Sequence, residues 1–151
     1  MEKIKYTIRE LEEKDLNPEK GFLKTLSNLS KIDYLPLKKM KEIFKEVKGK
    51  ENSYIFVAVG RNGKIIGSIK LIIERKFSHR GKRAGHIEDV VTRMGFENMG
   101  IASFLIKKAL AKAKKLGCYK IILDSRDELI PFYKKFKFHE FENCLRINLK
   151  R

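Results

Sequence analysis

Alternating apolar and polar residues predict strands in the first half of the chain. Residues 4–10 alternate apolar with polar or charged side chains, which indicates a first strand at the edge of a sheet. Residues 54–74 contain two β-branched and aromatic runs separated by Asn62-Gly63. Asn and Gly tolerate the positive φ that tight hairpin turns require, so this stretch is predicted to form an antiparallel hairpin.

A hydrophobic period near 3.6 predicts helices between the strands. The period is present in residues 20–30, and again from Pro36, which suits the first turn of a helix. The longest helix is predicted from Met99 to Leu116, with Gly117 after it as a C-terminal cap. A short helix is predicted over residues 127–136.

The remaining strands define the fold class. Residues 86–92 and 119–123 flank the longest helix, and this order predicts neighbouring parallel strands joined by a right-handed crossover. Residues 119–123 are almost continuously apolar, which favours burial on both faces. Residues 138–149 are predicted to return as a last strand or pair of strands. We therefore expect one α/β domain over residues 1–151, with a mixed, mostly antiparallel sheet and helices on both faces.

Composition narrows the kinds of partner. The 151 residues carry 35 Lys and Arg against 19 Asp and Glu, a formal net charge of +16, which attracts anions. Much of that charge is Lys spread along the predicted helices, so a solvated Lys-rich surface is the simplest explanation. An apolar run of about 18 residues, as a membrane span needs, is absent, and so is an N-terminal signal core. We expect a soluble, cytoplasmic protein.

Cysteine and histidine are too sparse to predict a metal site or a disulfide framework. The chain has two Cys and three His, and none of them stands in a metal-type spacing. We therefore expect no metal, and we expect Cys118 and Cys144 to be small apolar residues inside strands.

The turn over residues 96–102 is a candidate phosphate cradle. It follows a strand and opens a helix, where backbone N–H groups are free to bind an anion. Gly100 and Ala102 are small enough for a pyrophosphate to approach, although glycine at a helix start is also ordinary packing. The glycine patterns of dinucleotide-binding folds and P-loops are both absent.

Four segments resemble a known family in their order and spacing. They are I-I-E-R-K at 72–76, G-H-I-E-D at 85–89, G-C-Y-K-I-I-L-D at 117–124 and F-Y-K-K-F at 132–136. Together they resemble the GNAT (acyl-CoA N-acyltransferase) N-acetyltransferases, and within them the eukaryotic-type glucosamine-6-phosphate N-acetyltransferases. The resemblance is strong over residues 64–138 and weaker over 1–60.

The resemblance implies a site for acetyl-CoA as co-substrate. The strand segment implied to bind the pantetheine arm through its backbone is Val90, Val91 and Thr92. The loop implied to cradle the pyrophosphate is Asn98, Met99, Gly100, Ile101, Ala102 and Ser103. Asp124 and Tyr133 match residues beside the thioester.

The resemblance also implies an amino-sugar pocket. Its implied residues are Ser30, Lys76, Phe77, Ser78, His79, Glu88, Asp89, Val90, Tyr119, Lys120 and Arg146. The cations among them would hold the sugar phosphate.

The chemistry of acetyl transfer suits these residue types. An attacking amine must lose a proton, for which Asp124 is the first candidate, with Glu88 and Asp89 orienting the sugar. A backbone N–H near Val90 would bind the carbonyl oxygen, and the Tyr133 hydroxyl would protonate the departing thiolate. We therefore expect Asp124, Tyr133 and Glu88 to be catalytic.

Each residue also has an ordinary structural interpretation. Asp124 could cap a turn, Tyr133 could be a core aromatic, and Glu88-Asp89 could be a solvated pair. His79 could be plain surface, and His86 is best interpreted as a structural histidine within its strand.

Two departures from the family pattern affect the phosphate loop. Glu97 stands where the family has Gln or Arg, and Asn98 replaces a Gly. We expect weaker CoA binding than in a typical member, partly offset by Arg93. Lys137 stands where a Gly often precedes the Phe.

The function implied by the resemblance is acetyl transfer from acetyl-CoA to glucosamine 6-phosphate. The product, N-acetylglucosamine 6-phosphate, would feed UDP-GlcNAc synthesis. The resemblance also implies a homodimer whose pocket is completed by Tyr119-Lys120 and the C-terminal segment.

Two alternatives stay open at this point. One is a GNAT enzyme acting on a polyamine or a protein N-terminus, although the positive charge disfavours a cationic substrate. The other is a nucleic-acid-binding module, which the lack of aromatics interleaved with the basic runs makes a poor fit.

Overall fold

A single five-stranded sheet organises the computed structural model, which describes residues 5–149. The strands are β1 (Tyr6–Glu10), β2 (Ser53–Gly60), β3 (Ile65–Arg75), β4 (Arg83–Thr92) and β5 (Cys118–Ile122). They lie in chain order across the sheet, antiparallel from β1 to β4 and parallel between β4 and β5. The predicted mixed, mostly antiparallel sheet, its edge strand and its hairpin are confirmed.

Four helices cover the sheet. They are α1 (Phe22–Leu26), α2 (Leu37–Lys48), α3 (Ile101–Lys115) and α4 (Ile130–Lys134). The side chains of α3 pack on one face of the sheet, and those of α1 and α2 pack on the other. The predicted helices on both faces are therefore confirmed, although α1 is shorter than the predicted 20–30.

The two faces bury separate apolar clusters, because neighbouring residues of a strand point to opposite sides. Phe56 and Ala58 of β2 contact the α3 side, whereas Val57 between them contacts the side of α1 and α2. Each fully buried Leu, Ile or Phe contributes about 1.5–3 kcal/mol of transfer free energy. The core on the α3 side is the larger of the two and fixes the position of α3.

Gly67 lets the beginning of α3 approach the sheet closely. A Cβ built on Gly67 would lie 2.5 Å from Ile101 Cγ2 and 3.1 Å from Leu105 Cδ1. The same Cβ would lie 3.3 Å from the carbonyl oxygen of Val91 on β4. The absence of a side chain here therefore sets the distance between the first turn of α3 and the end of β4.

An ion pair between Arg9 and Asp15 connects β1 to the segment that follows it. Arg9 donates to both carboxylate oxygens of the buried Asp15, at 2.6 and 2.8 Å, and Glu12 N–H donates to Oδ2 at 2.9 Å. Burial alone would raise the pKa of Asp15, but the hydrogen bonds and charge of Arg9 lower it below its usual value.

Three expectations for the last third of the chain are wrong. β5 is an edge strand with Lys120 and Ile122 exposed, so it is not buried on both faces. Residues 139–149 form no strand and are exposed throughout, because no described strand pairs with them. Cys144 lies in this exposed segment, whereas Cys118 lies half-buried in β5 as expected. Among residues 5–149, no helix has the length and hydropathy needed to cross a membrane.

Candidate active site

β5 pairs with only the first part of β4. Pairing of β4 with β5 begins at Arg83 and Cys118 and ends at His86 and Ile122. β4 then continues to Thr92 while it remains paired with β3 on its other side. The edge of residues 87–92 that faces β5 therefore lacks a strand partner in the described chain, and its backbone groups can bind an extended ligand.

A bulge on β4 turns two acidic side chains outward. The register against β3 shifts between Ser68 and Lys70, opposite Asp89 and Val90. Asp89 has a φ of 52°, in the left-handed region that non-glycine residues rarely adopt. Glu88 and Asp89 are consecutive and both exposed, which strict alternation along a strand would forbid.

Three carboxylates meet beside this bulge. Desolvation raises the pKa of Glu88, and the negative charges of Asp124 and Asp89 raise it further. Asp124 lies two residues after β5, so the parallel pairing of β4 and β5 brings it to the same side as Glu88. A cluster of this kind attracts an ammonium group and can accept a proton from it.

Tyr133 lies on α4 at the edge of the α3-side core. It is 8% exposed, and its ring packs edge-on against Phe132 and Phe138 at centroid distances of 5.2 and 6.1 Å. Burial raises the pKa of its hydroxyl, so the group stays protonated and able to donate. The core-aromatic interpretation and the proton-donor interpretation are thus compatible for this residue.

The first turn of α3 presents free backbone N–H groups. The first helical hydrogen bond runs from Phe104 N–H to Gly100 O, 3.1 Å, and no side chain caps the helix. The N–H groups of residues 101–103 therefore have no acceptor in the described chain. Asn98 and Gly100 have φ values of 61° and 77°, so Asn98 adopts the positive φ for which Asn is suited. This donor set fits a pyrophosphate.

Glu97 and Arg93 are placed differently from what the sequence suggests. The Glu97 carboxylate accepts a hydrogen bond from Gly95 N–H at 2.7 Å and so folds back within the turn. The Arg93 guanidinium lies against Gly21, and its Nη1 is 3.4 Å from the carbonyl oxygen of Ile65. Arg93 is therefore engaged on the α1 side of the sheet, and its compensation for Glu97 at the phosphate loop stays a prediction.

A second polar cluster lies where β3 meets β4. The Glu74 carboxylate accepts a hydrogen bond from Lys76 Nζ at 2.6 Å, and its other oxygen is 2.9 Å from His86 Nε2. These contacts lower the pKa of Glu74 and raise that of Lys76. His86 thus has a structural partner, and Lys76 is held in place by a carboxylate.

The loop between β3 and β4 carries a left-handed turn. His79, Arg80 and Gly81 have φ values of 52°, 58° and 71°. The His79 ring stacks on Tyr119 of β5 at 4.2 Å with an interplanar angle of 27°. Lys120 Nζ lies 5.6 Å from the centre of the same Tyr119 ring. The structure thus gathers Lys76, His79, Tyr119 and Lys120 at one end of β5.

The other predicted pocket residues are more dispersed. Phe77 and Ser78 are exposed in the same loop as His79, and Ser30 is exposed just after α1. Arg146 donates from Nε to Asn148 Oδ1 at 2.8 Å within the exposed C-terminal segment. That segment passes the carboxylate cluster, and the proximity of Asp124 to the Cys144 thiol raises the pKa of Cys144.

Several contacts that shape the site escaped prediction. Glu74 and Lys76 are two apart at the end of a strand, which could have indicated that they form a pair on one face. The close packing at Gly67 and the hydrogen bond from Met94 N–H to the side chain of Asn28 depend on distant partners and leave no local signal.

Comparison with known protein families identifies the family of this chain. Residues 22–138 match the model of the acetyltransferase (GNAT) family. The chain belongs to this family.

The relatives within the family have consistent names. The chain is 40% identical over 87 residues to the glucosamine 6-phosphate N-acetyltransferase of Trypanosoma brucei brucei, covering 58% of the chain and 59% of that protein. It is 31% identical over 137 residues to glucosamine 6-phosphate N-acetyltransferase 1 of Oryza sativa subsp. japonica, covering 89% and 82%. The match thus spans about three fifths of the trypanosome protein's length.

A solved structure extends the similarity to the whole fold. The crystal structure of glucosamine-6-phosphate N-acetyltransferase from Arabidopsis thaliana superimposes with a TM-score of 0.92 at 28% identity. The superposition covers 97% of this chain and 99% of the other. The GNAT fold predicted from the sequence is confirmed.

Proposed function

We propose that the protein transfers the acetyl group of acetyl-CoA to the amine of glucosamine 6-phosphate, acting as one domain in the cytoplasm. The observation that carries the proposal is the convergence of Glu88, Asp89 and Asp124 beside the unpaired edge of β4. The names of the relatives supply the choice of amine.

Glucosamine 6-phosphate has a cationic amine and an anionic phosphate, and the candidate site has carboxylates for the first and cationic side chains for the second. The carboxylates would bind the ammonium form of the amine. Lys76, His79 and Lys120 gather around Tyr119 and would bind the phosphate. The overall charge of +16 favours an anionic sugar phosphate over a polyamine.

Acetyl-CoA would bind along β4 and at the beginning of α3. The backbone of Val90–Thr92 would pair with the pantetheine arm, and the N–H groups of residues 101–103 would bind the pyrophosphate. The thioester supplies the activated acetyl group. Weaker CoA binding than in a typical member stays a prediction, since Glu97 places an anion within the same turn.

The transfer needs three proton movements. The bound ammonium first gives a proton to Asp124, which passes it to solvent, because only the free amine can attack. As the amine nitrogen bonds to the acetyl carbon and the carbon–sulfur bond breaks, a second amine proton passes to Asp124, with Glu88 orienting the amine. The departing thiolate takes a proton from the Tyr133 hydroxyl, which its raised pKa keeps protonated at neutral pH. None of these steps requires a covalent enzyme intermediate.

A homodimer would complete the pocket. Leu145, Ile147 and Leu149 alternate with polar residues and are 93%, 82% and 85% exposed. An alternating apolar segment without a described partner is suited to pair with an edge strand, and β5 is such an edge. A second copy would then bring Arg146 toward the phosphate. Light scattering should give a molecular mass of twice the chain mass. The double substitution Leu145→Asp with Ile147→Asp should lower the measured mass toward that of one chain.

The test of the activity is a thiol-release assay with acetyl-CoA and glucosamine 6-phosphate. The unaltered protein should release CoA, and Asp124→Asn should lower kcat/KM by about 10²–10³-fold. Tyr133→Phe should lower it by about 10-fold or more. Asp127→Asn, an exposed carboxylate three residues further along, is the matched control and should stay near the unaltered rate.

A substrate panel separates the proposal from its alternatives. Glucosamine without the phosphate, spermidine and a peptide with a free N-terminus should each be acetylated far more slowly. Preference for any of these amines would refute the choice of sugar phosphate while leaving acetyl transfer intact. Salt-dependent RNA binding without any thiol release would refute the enzyme itself.

A further inference from the structure

The short helix α1 is attached to the acetyl-CoA side of the site at its beginning, middle and end. It precedes Ser30, which was assigned to the sugar side from the sequence. Its attachments reach the beginning of β3 and the turn between β4 and α3.

At its beginning, α1 meets Arg93. Gly21 precedes the helix with a φ of 75°, and a Cβ built there would lie 2.9 Å from Arg93 Nη1. Arg93 itself continues the pairing of β4, since its backbone N–H donates to Ile66 O at 2.9 Å. The residue that follows β4 therefore also lies against the start of α1.

In the middle, α1 is fixed by Thr25. Its hydroxyl is fully buried and lies 2.8 Å from Ile65 O and 3.0 Å from Gly21 O. Arg93 Nη1 approaches the same Ile65 oxygen at 3.4 Å. The Ile65 carbonyl oxygen at the start of β3 is thus approached both by Thr25 of α1 and by Arg93, which follows β4.

At its end, α1 is tied to the turn itself. The side-chain oxygen of Asn28 accepts a hydrogen bond from Met94 N–H at 3.1 Å, across 66 residues of sequence. Met94 lies two residues after Thr92 and at the beginning of the turn that leads to the free N–H groups of α3. Asn28 lies two residues before Ser30. One hydrogen bond therefore connects the segment that would touch the sugar to the segment that would hold acetyl-CoA.

We propose that Asn28 is a positioning residue that couples binding of acetyl-CoA at the β4–α3 turn to the placement of the segment 27–33. The coupling rests on the proposed function. When the turn is fixed by CoA, Met94 N–H is fixed with it, and Asn28 holds the Ser30 segment in place for the amine. The first substrate thereby prepares the site for the second.

Hydrogen exchange with CoA alone tests the coupling without any amine. In the unaltered protein, CoA should slow amide exchange in residues 94–103 and also in residues 27–33. In Asn28→Ala, the protection of 94–103 should persist while that of 27–33 falls by about three- to tenfold, the range expected for one hydrogen bond. Equal protection of 27–33 in both proteins would overturn the proposal.

Two further variants separate coupling from general loosening. Asn28→Asp keeps an oxygen acceptor for Met94 N–H and should retain the protection at saturating CoA. Ser27→Ala removes a bond that is local to α1, from the Ser27 hydroxyl to Lys24 O at 2.7 Å, and should also retain it. Loss of protection in Ser27→Ala as great as in Asn28→Ala would mean that any weakening of α1 suffices, and would refute a specific role for Asn28.

Kinetics supply a readout that a purely structural role would not move. At saturating acetyl-CoA, Asn28→Ala should raise KM for glucosamine 6-phosphate by about three- to tenfold and leave kcat within about twofold. A fall in kcat with unchanged KM would contradict the proposal. If the unaltered protein bound no CoA, the proposed function and the coupling would both fail; if it bound CoA but acetylated another amine, hydrogen exchange would still decide the coupling.

Discussion

Asp15 beside β1 and Glu88 on β4 are carboxylates in opposite electrostatic surroundings. Asp15 is 1% exposed but receives two hydrogen bonds from Arg9 and one from Glu12 N–H, and its pKa is lowered. Glu88 lies near Asp89 and Asp124, and its pKa is raised. The Asp15 carboxylate is neutralised by a partner within the fold, whereas the Glu88 carboxylate lies among like charges and would be stabilised by a bound cation.

The difference predicts which carboxylate stabilises the fold and which one takes part in the proposed reaction. A paired carboxylate contributes to stability, because its charge is more favourable in the folded state than in the unfolded chain. Crowded carboxylates cost stability, and such a cost is common where a site must bind a cation or accept a proton. The four predictions below test this contrast, beginning with the largest effect.

Removing the Asp15 carboxylate should destabilise the fold without damaging the chemistry. Asp15→Ala should lower the free energy of unfolding by about 3 kcal/mol, the low end for a buried pair because Arg9 remains 29% exposed. Thermal unfolding followed by circular dichroism should show Tm lower by about 6–12 °C. Glu12→Ala, at the exposed side of the same network, is the control and should lower Tm by much less. A Tm unchanged by Asp15→Ala would contradict the assignment.

Removing the Glu88 charge should lower activity without destabilising the fold. Glu88→Gln should lower kcat/KM for glucosamine 6-phosphate by about 10–100-fold, because the amine loses an orienting carboxylate. The thiol-release assay measures it, with Glu46→Gln on α2 as a control expected to leave the rate unchanged. An unchanged rate in Glu88→Gln would mean that Glu88 is a solvated surface residue.

Stability should respond to acid with opposite signs at the two sites. The lowered pKa of Asp15 means that its contribution is present above the unfolded value of about 3.9 and is lost as pH falls through the folded pKa. The raised pKa of Glu88 means that its penalty grows as pH rises above the unfolded value of about 4.3. Denaturant titrations between about pH 3 and 8 should therefore show the Asp15→Asn deficit shrinking toward low pH.

The smallest expected effect is a stability gain. Glu88→Gln should raise Tm by about 1–2 °C at neutral pH, because repulsion from Asp124 and Asp89 is relieved, with the effect muted by solvent. The gain should vanish below about pH 4, where the carboxylate is protonated in both the folded and unfolded states. A gain that persisted at low pH would have a cause other than charge.

Elements with partners inside the chain were the predictable part of the fold. The hairpin of β2 and β3 follows from its alternation and its Asn62-Gly63 turn, and both strands find neighbours within the sheet. α3 follows from its apolar period, although it begins at Ile101 rather than Met99. The family motifs could be found because they preserve the strand, turn and helix order.

Features that depend on distant neighbours were not predictable from local pattern. The apolar run of β5 suggested burial on both faces, but an edge strand leaves Ile122 43% exposed. The alternation of residues 145–149 suggested a strand, but pairing requires a partner that the described chain does not supply. The positive φ of Asp89 and the fold-back of Glu97 depend on the β4 bulge and on the turn, so the sequence alone does not indicate them.

The stack of His79 on Tyr119 offers a fluorescence signal from the proposed sugar side of the site. The chain has five tyrosines and no tryptophan, so its intrinsic emission comes from tyrosine alone. The His79 imidazole stacks 4.2 Å from the Tyr119 ring, so we expect the emission of Tyr119 to respond to this contact. A sugar phosphate that draws His79 away from Tyr119 would change the emission of the protein, and occupancy could be followed in real time without any label.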